Sequence, residues 1–436
     1  MQEVQLSQTI AALRFDGDAN DAATLLGQYG AAEIIANLER EHRQDCRHPW
    51  DECMANAIPL SPALTPGIHA LVSDACTRLG LTCALRLCTM PGPQINAYAF
   101  LDRNLDQPVL SLCLSSRAME HLSDSELLFL VGHELGHILY EHDRLNLLCN
   151  SSQDALAPTV LPDMGEWIFL RWRQKAEISA DRLGWFLAGQ IEAGVSAMIK
   201  SATGLTDKTL TLNTTSIQAF LNEDALRPYF RDWSLKNAPL FSTRLSTLRL
   251  LEEVTPSKVK IGNKRPAWLQ KMDKEVADIL ISLSRHPDTT VGLASMHLIA
   301  DAGVQLLQRD GIVASTEIKK VLTILHNDFT DEPDKVICLD PAKRAIRLKS
   351  AIGKLIRGAT SSKRKDILSR LADIAISDGP FCEAESKAIE GVAKALKIPT
   401  HETYAIIIGC MKTSGKEIDP GIQQLADQLA TAAAGM

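Results

Sequence analysis

Apolar residues recur at helical spacing over 20–43, where Leu25, Leu26, Ile34, Ile35 and Leu38 anchor one face of a predicted helix. Pro59, Pro62 and Pro66 interrupt that pattern, and a second helix is predicted over 66–80. Residues 82–88 read as a strand and Pro91-Gly92-Pro93 as a turn. From Val109 the period shortens to two. Leu110, Leu112 and Leu114 alternate with Ser111 and Cys113, which predicts a strand with one buried face. Two long helical stretches follow, 124 to about 148 and 165 to about 189, joined by a loop holding Pro158 and Pro162. The polar stretch 252–266 reads as a linker, and everything beyond it as helical. The expected fold class is therefore α+β, mostly α. A domain with a small sheet occupies 1–255, a linker 256–267 and an all-helical domain 268–436.

Composition narrows the function. The 436 residues, 45% of them hydrophobic, can build two or three compact cores. A net charge of −7 and a pI near 5.9 argue against a nucleic-acid partner. The dense basic run Ser362-Lys363-Arg364-Lys365 opens an apolar helical stretch and reads as a solvated helix start. The first residues show neither a basic nor an apolar export region. No run of 18 apolar residues is present, and the nearest approach, 184–202, is interrupted by Gln190, Glu192 and Lys200. A chain without a membrane span, located in the cytoplasm, is expected. The ten cysteines are irregularly spaced and are expected as reduced thiols; the group Cys46, His48 and Cys53 fits no zinc module.

The chemistry concentrates at His133-Glu134-Leu135-Gly136-His137. Ser123 and Glu126 supply a capping box for the helix that carries it. Two histidines four residues apart lie on one face, so their imidazoles can share one ion at Zn–N bonds of about 2.0–2.1 Å. Glu134, one residue on, falls beside the ion, where a base acting on water must sit. A catalytic zinc needs one more protein ligand and an open position. Glu141 continues the ladder but lies eight residues from His133, about 12 Å at helical rise. His142 points to another side and is expected to buttress the site or face solvent. The better third ligand is Glu177, in Ala176-Glu177-Ile178-Ser179-Ala180-Asp181-Arg182 on the next long helix. Asp181, four residues on, can accept the spare N–H of a ligand imidazole and fix its ring.

Asn96-Ala97-Tyr98-Ala99, the strand from Val109, the His133/His137 motif and Glu177-x-x-x-Asp181 occur in that order. Together they resemble metallopeptidase family 48, the HtpX and CAAX-prenyl-protease-like zinc endopeptidases, over roughly residues 60–250. The resemblance implies a gluzincin-type fold with one zinc per chain. It also implies a protein or peptide substrate laid along a sheet edge as an extended strand. It places Asn96, Ala97 and Arg244 at the substrate or the transition state. Two departures stand out. Family members often carry transmembrane helices, which are not expected here. In Ala238-Pro239-Leu240-Phe241-Ser242-Thr243-Arg244 the arginine fits, but Ala238 replaces the family's histidine.

The far half repeats a turn at an offset of 68 residues: Asp310-Gly311 with Glu317, then Asp378-Gly379 with Glu385. Glycine suits a left-handed helix end and glutamate a helix start, so a repeated hairpin accounts for the pattern. Residues 268–430 also resemble the TerB tellurite-resistance domain. That resemblance implies an additional divalent cation at Asp310, Glu317, Asp378 and Glu385, a role in stress response, and a regulatory protein partner. The leading reading is a zinc metalloendopeptidase, with a place in protein quality control or stress response. A catalytically idle zinc scaffold or chaperone-like protein is the alternative, although a scaffold has no need for Glu134. An aminopeptidase would need a grip on a free amine, and no such signature is recognisable.

Overall fold

The computed structural model describes residues 8–28, 30–45, 57–103, 107–148, 161, 163–222, 241–254, 266–283, 287, 289–307, 318–330, 332–377, 383–415, 423–424, 428 and 431. Two compact units emerge: Met1–Leu161 with Ile168–Leu283, and Pro162–Trp167 with Ser284–Met436.

The first unit opens with α1 (Gln8–Leu13), α2 (Asp16–Gln28) and α3 (Ala31–Asp45). The helix expected over 20–43 is thus two helices. Gly30, at φ +66°, makes the break, a conformation that glycine adopts without a steric cost. Then follow β1 (Ile58–Pro59), α4 (Pro66–Arg78), β2 (Ala84–Met90), β3 (Ala97–Asp102) and β4 (Val109–Ser115). The sheet runs β1-β2-β4-β3, with β4 parallel to β2 and antiparallel to β3. β4 differs from its expected one-sided burial, because Ser111 and Cys113 are buried along with the leucines. Its alternation recorded side-chain polarity, whereas burial is set by what packs on each face of the sheet, and both faces of β4 are covered. β3 is an edge strand among the described residues.

Next come α5 (Ser116–His121), α6 (Asp124–Leu139), α7 (His142–Asn146), α8 (Asp163–Ala188), α9 (Ile191–Thr203), α10 (Thr214–Asn222) and α11 (Phe241–Val254). The capping box at Ser123 and Glu126 forms as expected. The helix expected over 124–148 stops early. Glu141 takes φ 59°, so the ladder that would have carried it ends at Leu139 and the chain turns into α7. The helical pattern of α12 (Ala267–Leu283) predicts a place in the far domain. Instead it gives Leu269, Met272 and Val276 to the core that holds Leu112, Val131 and Leu135. Its Asp273 pairs with Arg182 of α8 at 2.7 Å, and both side chains are buried. The compact units accordingly divide at Leu283, and most of the expected linker lies outside the described residues.

The second unit is helical among its described residues: α13 (Thr290–Leu307), α14 (Lys319–Asp328), α15 (Pro333–Val336), α16 (Pro341–Gly358), α17 (Ser361–Ser377), α18 (Glu383–Ala395) and α19 (Thr400–Thr413). α13 is long and apolar enough to cross a membrane by length and composition, but 67% of it is buried. Leu298, Ile299 and Ala302 pack with Leu355, Leu371 and Ile407, so α13 is the core helix of this unit. The stretch 184–202, the nearest approach to a span in the sequence, is divided between α8 and α9 at Gly189.

Candidate metal centre

The centre rests on the close approach of α6 and α8. A Cβ built on Gly132 would lie 2.9 Å from the Gly184 Cα and 2.9 Å from Leu187 Cδ1; one on Gly136 would lie 3.0 Å from the Ala180 Cα. Glycine at 132, 136 and 184, with the small Ala180, lets the two backbones meet this closely. The contact sets Glu177 of α8 opposite the histidines of α6.

His133 Nε2 and His137 Nε2 are 3.1 Å apart. Glu177 lies 3.5 Å from the first through Oε2 and 3.6 Å from the second through Oε1. In a tetrahedron with bonds of 2.0–2.1 Å, neighbouring donors are about 3.3 Å apart. The three donors therefore have the spacing of three corners of a zinc-sized site. Two imidazole lone pairs facing each other at this distance repel unless a cation lies between them. Among the described residues this is the one cluster of His, Cys, Asp and Glu with metal-binding geometry.

The hydrogen bonds behind the donors agree on the tautomers. His133 Nδ1 donates to Asp181 Oδ1 at 2.8 Å, which leaves its Nε2 lone pair for an ion. Behind His137 the support is a relay. His137 Nδ1 is 2.9 Å from Nδ1 of His142, and His142 Nε2 is 3.1 Å from Asp18 Oδ2. A carboxylate only accepts, so His142 carries its proton on Nε2 and accepts at Nδ1; His137 then donates from Nδ1 and keeps Nε2 free. His142, expected to buttress the site or face solvent, is wholly buried beneath it. The turn at Glu141 brings it there.

Asp18 is a supporting residue that the sequence reading missed. It is fully buried and accepts from Arg14 Nε at 2.8 Å, Trp172 Nε1 at 2.9 Å and Ser179 Oγ at 2.7 Å. Burial works against its charge, but the His142 imidazole and the Arg14 guanidinium hold its carboxyl well below the usual carboxylate range. No local pattern could have pointed to it, since 124 residues separate it from His142.

Charge is balanced around the donors. Arg244 of α11 donates to Asp181 from Nε at 2.7 Å and from a terminal nitrogen at 2.6 Å, and lies 3.2 Å from Glu177 Oε2. Expected at the substrate, its guanidinium is bound to these two carboxylates. Burial, followed by the neighbouring His133 and His142 side chains, pushes the His137 imidazole well below its ordinary value, which favours the neutral ring that could accept an ion. Burial pushes Glu134 up to about 7; His133 opposes that, Glu177 adds to it, and the Ala99 backbone N–H, hydrogen-bonded to the carboxylate, opposes it. That last contact ties Glu134 to edge strand β3. At the head of β3, Asn96 folds onto its own strand: its amide donates to the Tyr98 hydroxyl at 2.8 Å, and its Oδ1 accepts from Ala97 N at 2.9 Å.

Ala238, Cys46, His48 and Cys53 lie outside the described residues, as do Asp310, Glu317 and Asp378. Glu385, the remaining member of the expected second cation site, is buried near the start of α18.

Residues 62–161 match the family model Peptidase family M48, and residues 296–406 match Tellurite resistance protein TerB. The two resemblances read from the sequence therefore hold, one in each unit, and the first is to a family of peptidases. Glu177, Asp181 and Arg244 lie beyond the first matched segment. No curated protein and no solved structure matches the chain.

Proposed function

We propose that this chain, which carries a family 48 peptidase segment, is a zinc-dependent endopeptidase. His133, His137 and Glu177 would hold the metal, and Glu134 would act as general base. The observation that carries this reading is the three-donor geometry, with a carboxylate poised beside it.

Zinc, when bound, supplies Lewis-acid polarisation of the scissile carbonyl and acidifies the attacking water. The protein residues do the rest. Glu134 takes the proton from the attacking water and delivers it to the leaving amine. Its half-buried position and its hydrogen bond from Ala99 keep the carboxylate next to the strand that the substrate would join. The peptide would lie along β3 as an added strand, where main-chain hydrogen bonds recognise an extended backbone and leave most side chains unread. Asp181 and His142 hold the ligand rings, and Arg244 offsets the negative charge that Glu177 and Asp181 concentrate at the centre.

The test compares wild type with Glu134→Gln for metal content and for cleavage of an N-blocked quenched peptide. The expected result is about one zinc per chain in both proteins, with cleavage lowered about 10²–10⁴-fold in the variant. Zinc in both without cleavage in either would favour the scaffold. No zinc in either would overturn the reading.

A further inference from the structure

The basic run at Lys363 belongs to a longer feature. Residues 341–365 contain nine Lys or Arg and no Asp or Glu, in a chain where acidic residues outnumber basic ones 53 to 46. Most of that charge rides on α16. The helix buries Ala351 and Leu355 in the core of the second unit. Its opposite face shows Lys343, Ile346, Ser350 and Lys354, spaced three, four and four residues apart and therefore aligned.

That face borders a groove of about 420 Å³ between α16 and α13, lined by Lys343, Ile346, Arg347, Ser350, Lys354 and, from α13, His297. None of the residues lining it is acidic. Arg347 is a fixed wall, for it donates to buried Asp301 at 2.7 and 2.5 Å and to the Val336 carbonyl at 2.6 Å. Lys354 has no ion-pair partner among the described residues, and the nearest carboxylate oxygen to Lys343 is a loose 3.8 Å away, on Asp340. Between these ammonium groups sits Ile346, 74% exposed, more than any other large hydrophobic among the described residues. His297 adds a hydrogen-bonding ring held largely neutral by its burial and by Arg347.

We propose that this groove docks an acidic peptide segment bearing an apolar side chain between its carboxylates. Lys343 and Lys354, eleven residues apart on one helix, are separated by about 16 Å along the axis. An extended peptide covers that span in about five residues, leaving room for one aliphatic side chain over Ile346. A lipid surface is the poorer fit: the apolar face of α16 is already spent on the core, which leaves one isoleucine in a concave setting. Single-stranded nucleic acid would want a large aromatic stacking platform, and the groove lining contains no Phe, Tyr or Trp.

The test is fluorescence anisotropy on the full chain. The probe is a labelled peptide of about eight residues, Glu and Ser with one central Leu. A version with Ser for Leu, phosphatidylserine–phosphatidylcholine vesicles and a single-stranded oligonucleotide run in parallel. Saturable binding that weakens with salt is expected. Lys343→Glu with Lys354→Glu should raise Kd at least about tenfold, equal to 1.4 kcal/mol. Ile346→Ser, and Ser for Leu in the peptide, should each raise it several-fold. Lys271→Glu, an exposed reversal on α12, should leave it unchanged. Absence of saturable peptide binding, equal binding by the double variant, or a groove-dependent preference for vesicles or oligonucleotide would each overturn the proposal.

Discussion

Asp18 shows how far the support of the candidate metal centre reaches into the protein. Its carboxylate does not approach the candidate ligands, yet it sets the protonation pattern that frees His137 Nε2. Supports of this kind are typically worth 10–100-fold in metal affinity. Asp18→Asn should therefore weaken zinc binding by about that factor in a chelator competition. Trp172→Phe, which removes a different hydrogen bond to the same carboxylate, should cost stability with a much smaller loss of affinity. Equal affinity losses in the two variants would reduce Asp18 to a packing role. Asp18 also carries a pH signature. Its carboxyl is depressed in the fold, so its stabilising contribution is complete above the ordinary value near 3.8 and falls away as the pH drops toward the folded value. In urea denaturation of metal-free protein, the advantage of wild type over Asp18→Asn should hold constant from about pH 6 to 5 and narrow below about pH 4. At this scale His133, Glu134, His137, Glu177 and Asp181 are legible in the sequence by type and spacing. Asp18 is not, because nothing local connects it to His142.

Among the elements, α6 and α8 decide whether those residues meet. Gly132 and Gly136 repeat at the same i,i+4 spacing as the histidines, each one residue earlier, and line the face pressed against Gly184 and Ala180. Gly132→Ala sets two effects against each other. Alanine gains up to about 1 kcal/mol of helix propensity. Its Cβ would also stand 2.9 Å from the Gly184 Cα, a backbone atom that cannot swing aside. Overpacking usually costs about 1–3 kcal/mol, so the variant should be less stable by urea denaturation and weaker in zinc binding, because Glu177 is pushed from the histidines. Unchanged stability would mean that the helices slide without cost. Element boundaries were only partly legible. Helical period and the Ser123 cap announced α6, but a left-handed Glu141 ended it where the apolar pattern ran on. Period alone cannot register a turn whose reason is the burial of His142 one step later.

For the whole molecule the informative helix is α12. Polar residues before it suggest a linker, and its own pattern is that of any amphipathic helix. Its buried Leu269, Met272 and Val276 belong to the core that also holds Val131, Leu135 and Ile178 of the candidate metal centre's two helices, and Asp273 faces buried Arg182. A fragment of residues 1–283 should unfold cooperatively in urea and bind one zinc. A fragment of 1–255 would leave that apolar surface open and take Asp273 away from buried Arg182, a loss of about 3–5 kcal/mol from the broken ion pair alone. It should be aggregation-prone, with reduced metal content. Equal behaviour of the two fragments would return α12 to the far domain.

The sequence alone determined what depends on neighbours along the chain. Helical and strand periods, a capped helix with two histidines one turn apart, and the family-like order of motifs are all local. Tertiary structure decided what depends on distance through space. It folded His142 beneath His137, placed Asp18 under both, buried β4 on two faces and drew α12 into the first core. The physical reason is that a hydrophobic pattern states only that a face must be buried, while packing and the pairing of buried charge choose against what.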